Sequence, residues 1–208
     1  SNDGISLVQT AEGAMDEISG MLIRMRELAV QAASGTTNTD QKGFLNNEFN
    51  QLTTEISRIA NSTEFNGTYL LNGDTSMTLQ VGAGTSTTTN TITVTLLDVQ
   101  ASSSNMSVVG SNNITTATNA LTSIADIDSA IKSLSEQRGK MGAFQNRLAS
   151  TVRNLATTRE NLSASNSRIR DVDVASESVS LTRSQILMQA GTSVLAQANQ
   201  LPSMALSL

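Results

Sequence analysis

The chain has 208 residues, 38% hydrophobic and only 2% aromatic, with 13 Lys and Arg against 18 Asp and Glu for a net charge of −5. It contains no Cys and no His, which removes disulfides, thiolate zinc sites, a thiol nucleophile and imidazole acid–base chemistry. The acidic balance and the scarcity of rings argue against a nucleic-acid partner, and no apolar run reaches the ~18 residues that a membrane span requires.

A core limited to Leu, Ile, Val, Met and Ala suits narrow helical layers, and a single proline leaves long helices unbroken. From Ile5 to about Ala33, Ile18, Met21, Leu22, Met25, Leu28 and Ala29 recur at steps of three and four, which predicts a first helix capped by Asn2 or Asp3. "SGTTNTD" ends it. A second helix is expected over about residues 40–60, where Leu45, Phe49, Leu52, Ile56 and Ile59 form a narrow seam. "EFNGTYLLNGD" carries two Asn-Gly turn signals, and "MTLQVGAG" with "TITVTLL" reads as two strands of a hairpin. Residues 98–118 carry little pattern, and one further short strand is all they suggest.

The strongest periodicity follows. Ile127, Ile131, Leu134, Met141, Leu148, Val152, Leu155, Leu162 and Ile169 mark one helix of about 45 residues, roughly 65 Å long at 1.5 Å per residue. Such a length implies a rod. Beyond it, residues 184–208 contain no charged side chain. Ile186, Leu187, Ala190, Val194, Leu195, Ala198 and Leu201 make an apolar stripe that Pro202 interrupts and that needs a covering partner. The predicted class is therefore mainly α: an elongated antiparallel rod of long, coiled-coil-like helices with a small β-hairpin at one end. The expected division is 1–172, with a β region at about 74–118, and a terminal segment at 173–208.

No motif supports an enzyme. "VGAGTST" lacks the Lys-Ser/Thr of a phosphate loop. Asp126 with Asp128, and Asp171 with Asp173, lack the ligand alternation of a calcium loop and read better as caps and turns. No cofactor and no metal are expected.

Five segments, "NDGISLVQTAEGAMDEISGMLIRMRELAVQAASG", "EFNGTYLLNG", "QRGKMGAFQNRL", "NLSASNSRIRDVDVASE" and "QAGTSVLAQANQLPSMALSL", resemble bacterial flagellin in content and order. The resemblance covers nearly all of the chain outside residues 85–125. It implies a structural subunit that polymerises with copies of itself into the extracellular filament used for motility, exported without a cleaved signal peptide. It also implies that the chain begins inside the family pattern, lacking the first terminal helix, and that its central region is short. Residues 173–208 match the segment that a dedicated export chaperone wraps. Ile186, Leu187, Val194, Leu195 and Leu201 are then expected to serve chaperone binding or packing in the filament core. Without its partner helix this segment is expected to be disordered or partner-bound. A hook–filament junction or capping protein with the same terminal pattern is the alternative.

"RELAVQ" also resembles the segment by which flagellins contact a Toll-like innate receptor. On a helical wheel Arg24, Leu28 and Gln31 form a column roughly 90° to 150° from the buried centre, which leaves Leu28 half-exposed between polar neighbours. The resemblance matches Arg24, Leu28 and Glu48 to receptor-contacting positions, with Gln31 beside them. Ile23 departs from the polar residue common there, and Leu52 stands where some members carry arginine. Arg26 and Glu27 read as ordinary solvated helix charges.

Overall fold

The structure, a computed structural model, describes residues 1–104, 106, 113–170 and 173–205, with side chains as far as residue 198. It divides into two compact units, Ser1–Asn154 and Leu155–Leu208.

The first helix, α1 (Asn2–Ala33), buries Gly4, Val8, Ala11, Met15, Ile18, Leu22, Met25, Ala29 and Ala32. These alternate at four and three residues without a break. A further row at sevenfold spacing, Leu7, Ala14, Met21 and Leu28, lies beside them, with Leu7 and Leu28 fully buried and Ala14 and Met21 packed against the core. Three rows make a face wider than a coiled-coil seam. The wheel therefore misplaces Leu28, which is 1% exposed instead of half-exposed. The cause is a second neighbour on that flank, α2. The helix begins at Asn2 with Ser1 outside it, so neither Asn2 nor Asp3 is the cap.

Helix α2 (Thr39–Ser62) follows after residues 34–38 and packs on α1 as a helical hairpin. Its start is fixed by a capping box: the Gln41 backbone N–H donates to Asn38 Oδ1 at 2.8 Å and the Asn38 N–H donates to Gln41 Oε1 at 3.1 Å. Phe49, Ile56 and Ala60 are buried, with Leu45, Leu52 and Ile59 packed beside them, as the seam requires.

Helix α3 (Ala117–Arg170) belongs to the first unit as far as Asn154. There it runs antiparallel to α1. Arg26 pairs with Asp128 at 2.7 Å and Asp16 with Arg138 at 2.9 Å, so ten residues back along α1 match ten forward along α3. Its buried positions are Ala120, Ser123, Ile127, Ala130, Leu134, Gln137, Met141 and Leu148. The second row of the seam is thus Ala130 and Gln137, while the expected Ile131 is only partly buried. Gln137 is tolerated in the core because its Nε2 donates to the Thr95 carbonyl at 2.9 Å, tying the helix to the sheet. Ser123 has no such partner.

Between α2 and α3 lie two hairpins. Strands β1 (Glu64–Phe65) and β2 (Thr68–Tyr69) pair antiparallel around Asn66 (φ 50°) and Gly67 (φ 76°). Both backbone angles are left-handed, which suits an Asn-Gly two-residue turn. Strands β3 (Thr75–Gln80) and β4 (Thr91–Leu96) pair from Thr75↔Leu96 to Gln80↔Thr91, and β4 turns Ile92, Val94 and Leu96 into the core. Among the described residues of 98–118 there is no further strand; residues 105 and 107–112 lie outside the description.

The second unit contains the rest of α3 and helix α4 (Val174–Ala205). Asp173 caps α4, its Oδ1 accepting from the Ala175 and Ser176 N–H groups at 3.0 and 3.3 Å. This is the capping role read for it in the sequence. Pro202 does not end the helix, which continues to Ala205; a missing N–H removes one bond of the ladder and leaves the donors after it intact.

Candidate functional site

On the outer side of the α1–α2 hairpin, Arg24 bridges the two helices. Its Nε donates to Glu48 Oε1 at 2.8 Å and its Nη1 to Glu27 Oε2 at 3.1 Å. The hairpin places residue 24 nine positions before the end of α1 and residue 48 nine after the start of α2, which brings them level. Hydrogen bonding to Glu48, then to Glu27, raises the Arg24 pKa above its ordinary value, so the guanidinium is cationic at any working pH. The Arg24 and Glu48 side chains remain 50% and 45% exposed.

Two of the four residues singled out on this surface are therefore in direct contact. Leu28 lies in the core one turn beyond Arg24, and Gln31 lies exposed a further turn along. The Gln31 backbone carbonyl closes the end of α1, accepting from the Ser34 N–H at 3.3 Å and the Thr37 hydroxyl at 2.8 Å. Two neighbours, Glu27 and Val30, were not anticipated on this surface. Glu27 is the second partner of Arg24, and the half-exposed Ile23 and Val30, seven residues apart, line a shallow groove with Arg26, Glu27 and Gln31. Ile23 was the visible signal, an apolar residue on a polar face.

The second unit carries the other candidate surface. Every one of its described side chains is exposed. On α4, Ile186, Leu187, Val194 and Leu195 lie between 60% and 65% exposed, and the Leu201 side chain lies outside the described residues. Ile186 and Leu187 join Val179 and Thr182 in a groove along the helix. On α3, Leu155, Leu162 and Ile169 continue the sevenfold row of Met141 and Leu148 but are 40%, 65% and 87% exposed. Among the described residues no group of three or more acidic side chains could hold a metal, and no helix is long and apolar enough to cross a membrane.

Aliphatic rows of this length left open on long helices are the mark of an interaction surface. The comparisons with known proteins agree. The bacterial flagellin N-terminal helical region matches residues 1–76 and the bacterial flagellin C-terminal helical region matches residues 124–208. The flagellin of Halalkalibacterium halodurans is 47% identical over 212 residues, covering 100% of this chain and 75% of that protein. The flagellin of Bacillus subtilis is 40% identical over 239 residues, covering 100% of this chain and 78% of its own length. The crystal structure of Bacillus cereus flagellin superposes with a TM-score of 0.64 at 31% identity, covering 79% of this chain and 92% of that one.

The chain belongs to the bacterial flagellin family. It is a structural subunit of the extracellular flagellar filament, formed by self-association, and not an enzyme.

Proposed function

We propose that the open face of α4 is the surface by which subunits join in the filament core, and that an export chaperone covers residues 173–208 until they do so. The observation that carries this reading is the exposure of Ile186, Leu187, Val194 and Leu195, with Leu201 continuing the same row in sequence. Such a row is an aggregation hazard unless it is held before assembly. The terminal segment that this covering acts on begins at residue 173, the cap of α4, within the compact unit Leu155–Leu208. Leu187→Asp with Leu195→Asp should abolish both chaperone binding in calorimetry and polymer growth in electron microscopy. Normal binding and growth by that variant would refute the proposal.

A second reading rests on the Arg24–Glu48 pair. The subunit is also a ligand of a Toll-like innate receptor, with Arg24, Gln31 and Glu48 at the contact and Leu28 supporting them from the core. The resemblance of "RELAVQ" to the family's receptor segment suggests it, and the half-exposed, mutually oriented charges are suited to it. Arg24→Ala and Glu48→Ala should each lower receptor-reporter response by about tenfold, or ~1.4 kcal/mol of binding. An unchanged dose–response in both variants would remove this role.

A further inference from the structure

We propose that Asn66 is a site of spontaneous covalent modification, where the side-chain amide cyclises onto the backbone and opens to aspartate and isoaspartate. The chain has two Asn-Gly pairs, Asn66–Gly67 and Asn72–Gly73. The structure separates them.

Asn66 and Gly67 form the tip of the β1–β2 hairpin, and both are exposed to water. Two residue pairs close this hairpin, Glu64↔Tyr69 and Phe65↔Thr68, with one more hydrogen bond at its base from the Leu70 N–H to the Thr63 carbonyl at 3.0 Å. A two-stranded ribbon so short opens readily. Opening matters because Asn66 must leave its left-handed conformation before its Cγ can reach the next backbone nitrogen. Gly67 offers no Cβ to obstruct the ring, and nothing lies within 4 Å of where a Cβ would stand. Among the described hydrogen bonds, none is made by the Asn66 side chain or by the Gly67 N–H.

Asn72 is held instead. Its carbonyl accepts from Gln100 Nε2 at 2.9 Å, and the preceding Leu71 is buried with its own carbonyl accepting from the Val99 N–H at 3.1 Å. The Gly73 carbonyl accepts from the Thr75 hydroxyl at 3.3 Å. Reaching the cyclisation geometry at Asn72 therefore breaks contacts that Asn66 does not have.

The chemistry needs only water. The Gly67 nitrogen gives up its proton and bonds to Asn66 Cγ. The Cγ–Nδ2 bond breaks, and ammonia leaves with that proton. One water then opens the five-membered imide. Attack at Cγ restores the normal chain as aspartate, and attack at the backbone carbonyl gives isoaspartate. Nothing is oxidised or reduced. Isoaspartate inserts an extra main-chain atom into a two-residue turn and places a new carboxylate two residues from Glu64. The Phe65↔Thr68 pairing, and with it the partly buried Phe65 that packs on the core, is then displaced.

The test is to incubate the full chain at mildly alkaline pH and follow each Asn-Gly pair by peptide mass spectrometry with isoaspartyl methyltransferase labelling. Asn66 should convert about fivefold faster than Asn72, the ratio given by one net hydrogen bond of about 1 kcal/mol. The rate should rise with pH, and Asn66→Gln should remove the product at 66 while leaving the rate at 72 unchanged. Conversion at Asn72 as fast as at Asn66 would overturn the proposal. So would an unmodified Asn66 in the folded chain under conditions that convert it in the heat-unfolded chain.

Discussion

Leu28→Ala separates a buried Leu28 from a surface one. The side chain is 1% exposed and belongs to the row Leu7, Ala14, Met21 and Leu28 that widens the buried face of α1 toward α2. Truncating a leucine so enclosed removes its transfer energy and leaves a cavity, about 3 kcal/mol in total. For a chain of this length that lowers the melting temperature by roughly 6–12 °C. A leucine half in water would cost below about 1 kcal/mol. The assay is urea and thermal unfolding of the full chain followed by circular dichroism, with Glu48→Ala as a surface control expected to leave the midpoint in place. A loss under about 1 kcal/mol for Leu28→Ala would return Leu28 to the surface and refute the three-row packing of α1. The same result bears on receptor assays, because signalling lost by Leu28→Ala mixes packing with contact whereas Glu48→Ala does not.

Further outcomes follow from the same packing. Gly13→Ala meets nothing within 4 Å and should stabilise α1 by up to about 1 kcal/mol, whereas Gly4→Ala meets the Leu79 and Leu148 side chains and should lose that gain; equal unfolding midpoints for the two variants would contradict the close approach at Gly4. Gln137→Ala removes the hydrogen bond to the Thr95 carbonyl and should cost about 1 kcal/mol while speeding hydrogen exchange in β4; unchanged exchange there would rule out the helix–sheet tie. Ser123→Ala removes a buried hydroxyl without a partner and should leave stability unchanged or raise it by about 1 kcal/mol, so a clear loss would reveal a partner for that oxygen. The Arg58 hydrogen bond lowers the Glu55 pKa, so the pair's stabilisation is present above the ordinary carboxylate value and is lost as pH falls through the lowered one. Arg58→Gln should move the Glu55 midpoint upward in an NMR titration; an unmoved midpoint would break that assignment.

Much of this architecture is legible in the residues because aliphatic spacing reports a helix face directly. The rows Met141–Leu148 and Leu45–Phe49–Leu52–Ile56 need no structure to be seen, and the first Asn-Gly signal places the β1–β2 turn. Leu28 was misread because a wheel drawn for one partner cannot know that α1 has two, α2 on one flank and α3 on the other. Gln137 was missed because a polar residue inside a seam looks like its solvent edge until a carbonyl such as that of Thr95 is found opposite, and nothing in the sequence marks Ser123 as buried. The Arg24–Glu48 pairing was half visible: spacing and the family pattern put both on one surface, but only the hairpin register brings the charges to 2.8 Å. Arg26, read as a solvated charge, is 47% exposed and also pairs with Asp128 of α3 at 2.7 Å.

The most direct test of the packing face uses the absence of native cysteine. Leu187→Cys gives the chain a single thiol, on the exposed row of α4. Its labelling rate with a maleimide can be compared between dissociated subunits and polymerised filaments. Rapid labelling of the subunit and strong protection in the filament are expected if this face is covered by neighbouring chains. Equal labelling in both states would contradict that role for α4.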